Sequence, residues 1–73
     1  MNNQRRKKIR KALGLIGEAH DILEEVRDEE EESYDNLPEN QKEGERGDTM
    51  EENISTLEDF IGQLEEADEL EEM

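Results

Sequence analysis

The stretch Tyr34-Asp35-Asn36-Leu37-Pro38-Glu39-Asn40 decides the fold, because it contains the only proline and separates two long segments with helical periodicity. We predict that Asn36 caps a short helix whose first positions are Leu37 and Pro38, since asparagine favours helix caps and proline favours a first helical turn. Tyr34, Leu37 and Pro38 then shape a turn. The two flanking segments are expected to fold back from this turn.

The segment before the turn has apolar residues at helical spacing, and we expect a helix over residues 4–33. With Ile9 at heptad position a, positions a and d hold Ile9, Ala12, Ile16, Ala19, Leu23 and Val26. Positions e and g widen this stripe with Leu13, Leu15 and Ile22. A stripe of this width is typical of a helix that packs against more than one neighbour.

The segment after the turn predicts a second helix over residues 48–70. Residues 41–47 are polar and contain two glycines, which indicates a loop. Asp48 or Thr49 is followed three residues later by a glutamate, which is the spacing of a capping box. Beyond them, apolar residues step by four and three to form a narrow seam: Met50, Ile54, Leu57, Ile61 and Leu64.

These patterns predict one small all-α domain over residues 1–73, an antiparallel helical hairpin with the turn and a short helix over residues 34–47. The chain has 73 residues, 29% of them hydrophobic, and no cysteine, so a core of its own is marginal and no disulfide supports it. We therefore expect the hairpin to dimerise into a four-helix bundle or to dock on a partner. The residues assigned to the core and to self-association are Ile9, Leu13, Ile16, Leu23, Val26, Ile54, Leu57, Ile61 and Leu64.

Charge is distributed unevenly along the chain, which has a net charge of -15. Six cations lie within residues 5–11, whereas all 24 acidic residues lie from Glu18 onward. The outer face of the first helix is expected to bind a protein with a basic surface through Glu18, Asp21, Glu24, Glu25, Asp28, Glu31 and Glu32. Regular rows of carboxylates also imitate the phosphates of DNA. The cations at 5–11 are expected to lie beside acidic residues 65–72, unless they bind something else.

The sequence predicts no enzyme, no cofactor and no metal site. His20 has Glu24 as its one candidate ligand at helical spacing, and we interpret it as a histidine at the edge of the core. The acidic run Asp28–Glu32 lacks the ligand order of an EF-hand. Arg46-Gly47-Asp48 matches an adhesion tripeptide, but Asp48 is explained as a helix cap. No apolar run is long enough to cross a membrane, and we expect a cytoplasmic protein.

One segment resembles a family. Glu30-Glu31-Glu32-Ser33-Tyr34-Asp35-Asn36-Leu37-Pro38-Glu39-Asn40, followed by Glu45-Arg46-Gly47 and Met50-Glu51-Glu52, is similar to a group of short acidic proteins encoded by bacteriophages and prophages. The resemblance covers most of residues 9–67. It implies a phage origin, a bacterial host cell as the location and a helical hairpin, and it implies no particular activity.

We therefore expect a non-enzymatic phage-type protein that binds a host or phage protein. By analogy with small acidic phage proteins, it acts as an inhibitor or a nucleic-acid decoy on a nucleic-acid-handling defence enzyme. Two alternatives stay open. One is a structural or assembly coiled-coil protein of a phage, and the other is a small RNA-binding helical dimer that uses Arg5 to Lys11.

Overall fold

The computed structural model describes residues 1–73 and consists of helices without any strand. Helix α1 spans Asn3–Asp35, α2 spans Glu39–Lys42, α3 spans Glu45–Glu65, and a 3-10 helix spans Glu66–Glu72. The all-α class is therefore confirmed. Neither long helix has a stretch apolar enough to cross a membrane.

Helix α1 is the longest element, with 33 residues. The side chain of Asn2 caps its first turn, where Oδ1 accepts a hydrogen bond from the backbone N–H of Arg5 at 2.8 Å. Its first turn holds no acidic residue and its last turn no basic one, so the end charges oppose the helix dipole. Helix α1 therefore depends on packing against the rest of the chain.

Asn36 caps the end of α1, and the prediction that it begins a short helix is wrong. Its backbone N–H donates to the carbonyls of Glu32 and Tyr34, which closes the last turn of α1. The residue before a proline disfavours helical backbone angles, so the chain leaves the helix just before Leu37. Pro38 itself precedes α2 as its N-cap residue.

Helix α3 begins at Glu45, three residues earlier than the sequence predicted, and Gly44 is its N-cap. Asp48 is therefore a residue of the first turn of α3 and not its cap. The hydroxyl of Thr49 donates to the carbonyl of Glu45 at 3.0 Å, within the helix. The helix extends into the predicted loop because Gly47 lets it pack closely on α2, where the glycine is buried against the backbone of Lys42.

Helix α3 runs beside α1 in the opposite direction. Three side-chain hydrogen bonds define the register, and they join His20 to Glu65, Glu30 to Asn53 and Tyr34 to Glu51. In each pair the two residue numbers add to between 83 and 85. The chain is a rod of 58 × 14 × 13 Å with a radius of gyration of 17.1 Å, whereas a compact chain of this length has about 11 Å.

The seam between α1 and α3 uses heptad positions a and e of α1, not the predicted a and d. The half-buried residues of α1 that step by four and three are Ile9, Leu13, Ile16, His20, Leu23, Arg27, Glu30 and Tyr34. On α3 the predicted seam residues are half-buried, and Ile61 is buried at 4% exposure. Val26, which was assigned to the core, is exposed on the flank of α1.

After Glu65 the chain continues as a 3-10 helix of seven residues, where the sequence predicted an α-helix to residue 70. Five carboxylates within these seven residues repel one another at α-helical spacing, and no basic residue compensates them. Leu70 and Glu71 of this segment share a groove with Arg6, Ile9 and other residues of α1.

Gly47→Ala is expected to destabilise the fold, because the new Cβ would lie 2.6 Å from the carbonyl carbon and 2.7 Å from the Cα of Lys42. Backbone atoms must then shift, which typically costs about 1–3 kcal/mol. Gly62→Ala is the matched control in the same helix, since nothing lies within 4 Å of its Cβ position. The control is expected to stabilise by up to about 1 kcal/mol through helix propensity. Urea unfolding followed by circular dichroism measures both changes, and equal stability of the two variants would contradict the close contact.

Candidate protein-binding surface

The position of the seam leaves two outward faces on α1. Because positions a and e point towards α3, positions b, c and f form one outer face and positions d and g form the other. The b, c and f face holds nearly all of the carboxylates of α1 from Glu18 onward. The d and g face holds the large apolar residues that α3 leaves exposed, Leu15, Ile22 and Val26, together with the half-buried Ala12 and Ala19.

The acidic face contains a shallow, open groove of carboxylates. Six of them line a single depression on α1: Asp21, Glu24, Glu25, Asp28, Glu29 and Glu32. At a rise of 1.5 Å per residue they cover about 17 Å, or about 3.3 Å per charge, close to the roughly 3.4 Å per phosphate of one DNA strand. Glu18 is exposed one turn before this groove, and Glu31 lies half-buried beside it. Sequence reasoning missed Glu29, because it occupies position g.

Arg27 is the cation nearest to this groove. Its guanidinium lies 3.2 Å from Asp28 and 3.7 Å from Glu24, and the hydrogen bond to Asp28 raises the pKa of Arg27. The arginine reaches these carboxylates from seam position e. It neutralises one edge of the groove and leaves Glu25, Glu29 and Glu32 exposed and without a cation.

His20 connects the two long helices and is 21% exposed. Its Nε2 lies 3.1 Å from Glu65 of α3, and its Nδ1 lies 2.9 Å from Glu24 and 3.5 Å from Asp21 of α1. The hydrogen bond to Glu65 raises the pKa of His20, and the neighbouring Asp21 and Glu24 raise it further against the opposing effect of burial. His20 therefore has a larger structural role than the edge position predicted from the sequence.

The same cluster has the elements of a metal site. One nitrogen and two carboxylate oxygens of His20, Asp21 and Glu24 come within 4.8 Å of one another. A histidine binds metal only as neutral imidazole, whereas carboxylates at both ring nitrogens favour the protonated ring. The geometry thus favours an ion-paired clamp between the helices over a metal centre.

The turn is held by Tyr34. Its hydroxyl donates to Glu51 of α3 at 2.6 Å, and this hydrogen bond raises the pKa of the phenol. The ammonium of Lys42 in α2 lies 5.5 Å from the ring centroid, within the range of a cation–π contact. Tyr34 therefore contacts all three α-helices, and Leu37 is half-buried beside it, whereas Pro38 is exposed.

The cations at residues 5–11 form no ion pair. Arg6 and Arg10 share the groove of Glu71, as the sequence predicted in outline, but every ion pair of the structure involves His20 or Arg27. The predicted pairing within the molecule therefore brings Arg6 and Arg10 near Glu71 but forms no ion pair. The six positive charges stay on the surface.

The second outward face is apolar, and sequence reasoning did not separate it from the core stripe. Leu15, Ile22, Val26 and Phe60 are 42 to 59% exposed. Val26 of α1 and Thr56 of α3 line one groove. Ile22 lies one turn from Val26, and Phe60 lies one turn from Thr56, so these two side chains face the same side of the rod. On α3 this side carries an uncharged row, which comprises Thr49, Asn53, Thr56, Phe60 and Gln63. The signal in the sequence that predicts this face is a second apolar series on α1 with steps of three and four, formed by Ala12, Leu15, Ala19, Ile22 and Val26.

Comparison with protein-family models, with characterised proteins and with solved structures finds no significant match.

The His20 clamp is expected to make stability depend on pH. The pKa of His20 is raised above its usual value of about 6.5 in the folded chain, so its stabilising effect is complete below that value and is lost as pH rises through the folded pKa. The urea concentration at the midpoint of unfolding is therefore expected to decrease as the pH rises from 6 to 9. The variant His20→Gln should flatten this dependence, because no other side chain has its usual pKa in that window. The same slope in both proteins would show that the clamp does not contribute.

Proposed function

We propose that this chain is a non-enzymatic binding protein that presents its acidic face to the basic surface of another protein. The observation that carries the proposal is the groove of six carboxylates on α1, only one edge of which is neutralised by Arg27. A rigid helix fixes the spacing of these charges. Complementary charge accelerates association with a basic partner and selects against acidic ones.

The spacing of the carboxylates supports a nucleic-acid decoy in particular. An enzyme that binds DNA or RNA tracks the backbone with a basic channel. A helix with about one charge per 3.3 Å offers that channel a similar linear charge density. In this proposal the chain is a phage-type inhibitor that acts in the bacterial host cell on a nucleic-acid-handling enzyme, which agrees with the resemblance of residues 30–52 to acidic phage proteins.

Self-association belongs to the same proposal. Only two of 73 residues are buried, and one of these is a glycine, so the antiparallel α1–α3 hairpin has little core of its own. In the proposed dimer the hairpins form a four-helix bundle. The bundle holds the acidic face rigid and leaves it outside.

One further function is favoured by a specific observation. The six cations at residues 5–11 are exposed and without ion pairs, which suits contacts to the phosphates of RNA. No aromatic residue lies among them for stacking on bases. A structural role in a phage particle is the other alternative, in which the rod of 58 Å joins larger components.

Reversal of one line of carboxylates is expected to abolish partner binding. Glu18→Lys, Glu25→Lys and Glu32→Lys, made together, change exposed residues seven positions apart that form no ion pair. The matched control is Glu52→Lys, Asp59→Lys and Glu66→Lys, which makes the same change in net charge on exposed positions with the same spacing along α3 and its end. Affinity capture from bacterial lysate at low and high salt, with mass spectrometry, compares the proteins.

Nucleic-acid-handling proteins are expected to bind the unmodified chain and the control at low salt, to be lost at high salt, and not to bind the α1 variant. Equal capture by the two variants would exclude the acidic face as the binding surface. Recovery of RNA in place of these proteins would favour the cations at 5–11. Recovery of virion proteins would favour the structural role.

A further inference from the structure

The exposed apolar face is a binding surface that the acidic-face proposal does not use. It is the only face of the rod on which large apolar side chains and an uncharged row of α3 lie together. The chain exposes 5833 Å² in total, whereas a compact protein of 8.6 kDa exposes about 4,700 Å². The excess of about 1,100 Å² is spread over the whole elongated rod, and it exceeds the roughly 800 Å² that each partner buries in a stable complex.

The row of residues along this face on α1 is complementary to itself when reversed. In chain order the d and g positions are Arg5, Lys8, Ala12, Leu15, Ala19, Ile22, Val26, Glu29 and Ser33. The row begins with the cations Arg5 and Lys8, its apolar middle is centred on Ala19, and near its end Glu29 precedes the uncharged Ser33. An antiparallel copy places Lys8 opposite Glu29, Leu15 opposite Ile22, and the small Ala12 opposite the larger Val26.

We propose that a second copy of this chain covers the face, with the two rods antiparallel and related by a twofold axis at Ala19. Each contact in such an interface occurs twice, because residue and partner residue exchange roles across the axis. Lys8 and Glu29 are both exposed and both without an ion pair within the chain. Alanine on the axis lets the two α1 helices approach closely. This inference specifies the self-association that is part of the proposed function.

Charge selects this orientation over the alternative with both turns at the same end. That arrangement would bring the acidic segments Asp28–Glu32 of the two copies together, where each copy supplies only Arg27 as a cation. The antiparallel arrangement instead places the cations of residues 5–11 opposite the acidic segment Asp28–Glu32 of the other copy. Like charges in contact oppose association, whereas opposite charges support it.

A charge exchange is expected to test the contact between Lys8 and Glu29. Lys8→Glu alone and Glu29→Lys alone each place like charges opposite one another twice per dimer, and we expect either change to raise the dimer dissociation constant about tenfold at low salt. The double variant restores opposite charges and should restore the dissociation constant. Analytical ultracentrifugation measures it, and circular dichroism checks that helix content is kept. Additive weakening in the double variant would overturn the assignment of this pair.

Ala19→Cys tests the axis independently, because the chain has no cysteine of its own. In the proposed dimer the two introduced thiols meet at the axis, so mild oxidation should give a covalent dimer within minutes. Glu52→Cys, an exposed position on the outer side of α3, is the control and should crosslink much more slowly. A dimer by light scattering that is not crosslinked through residue 19 would overturn the orientation but leave self-association and partner binding intact. A monomer at all concentrations would overturn self-association as well.

Discussion

The structure depends on one narrow seam in which α1 and α3 pack side by side. Ile61 is the only large apolar residue that this seam buries, at 4% exposure, and its neighbours keep more of their surface in water. Polar contacts supplement the packing at intervals, through His20, Glu30 and Tyr34. A single row of contacts also explains the rod shape, because nothing draws the chain into a second layer.

The choice of seam positions determines what the surface offers. With positions a and e of α1 turned inward, the carboxylates collect on one outer face and the uncovered apolar residues on the other. A seam at a and d would have turned Val26 inward and left Leu13 at the edge. The separation of charge from apolar surface therefore follows from a rotation of one helix by a fraction of a turn. It gives a small rod two outward surfaces of different chemistry, one acidic and one apolar.

Much of the fold could be predicted from the sequence, since two long segments have apolar residues at helical spacing and the only proline lies between them. The rotation of α1 could not, because its apolar residues fit two overlapping sets of four-and-three steps and only the partner helix decides between them. The structure at Gly47 could not be predicted for a related reason, since glycine occurs both in loops and at close contacts between helices. The acidic face was predictable from the number of carboxylates, except for Glu29. The clamp at His20 requires Glu65, which is 45 residues away and gives no local signal.

The 3-10 segment Glu66–Glu72 affects the reach of the chain. A 3-10 helix rises about 2.0 Å per residue and an α-helix about 1.5 Å, so these seven residues extend about 3.5 Å further than an α-helix of the same length. Leu70 lies four residues after Glu66, so it is displaced by about 2 Å of this length, and it lines a groove together with Ile9. Rewinding the segment to α-helical pitch would shorten it and withdraw Leu70. The pitch of this last segment therefore sets where the end of the chain meets the start of α1.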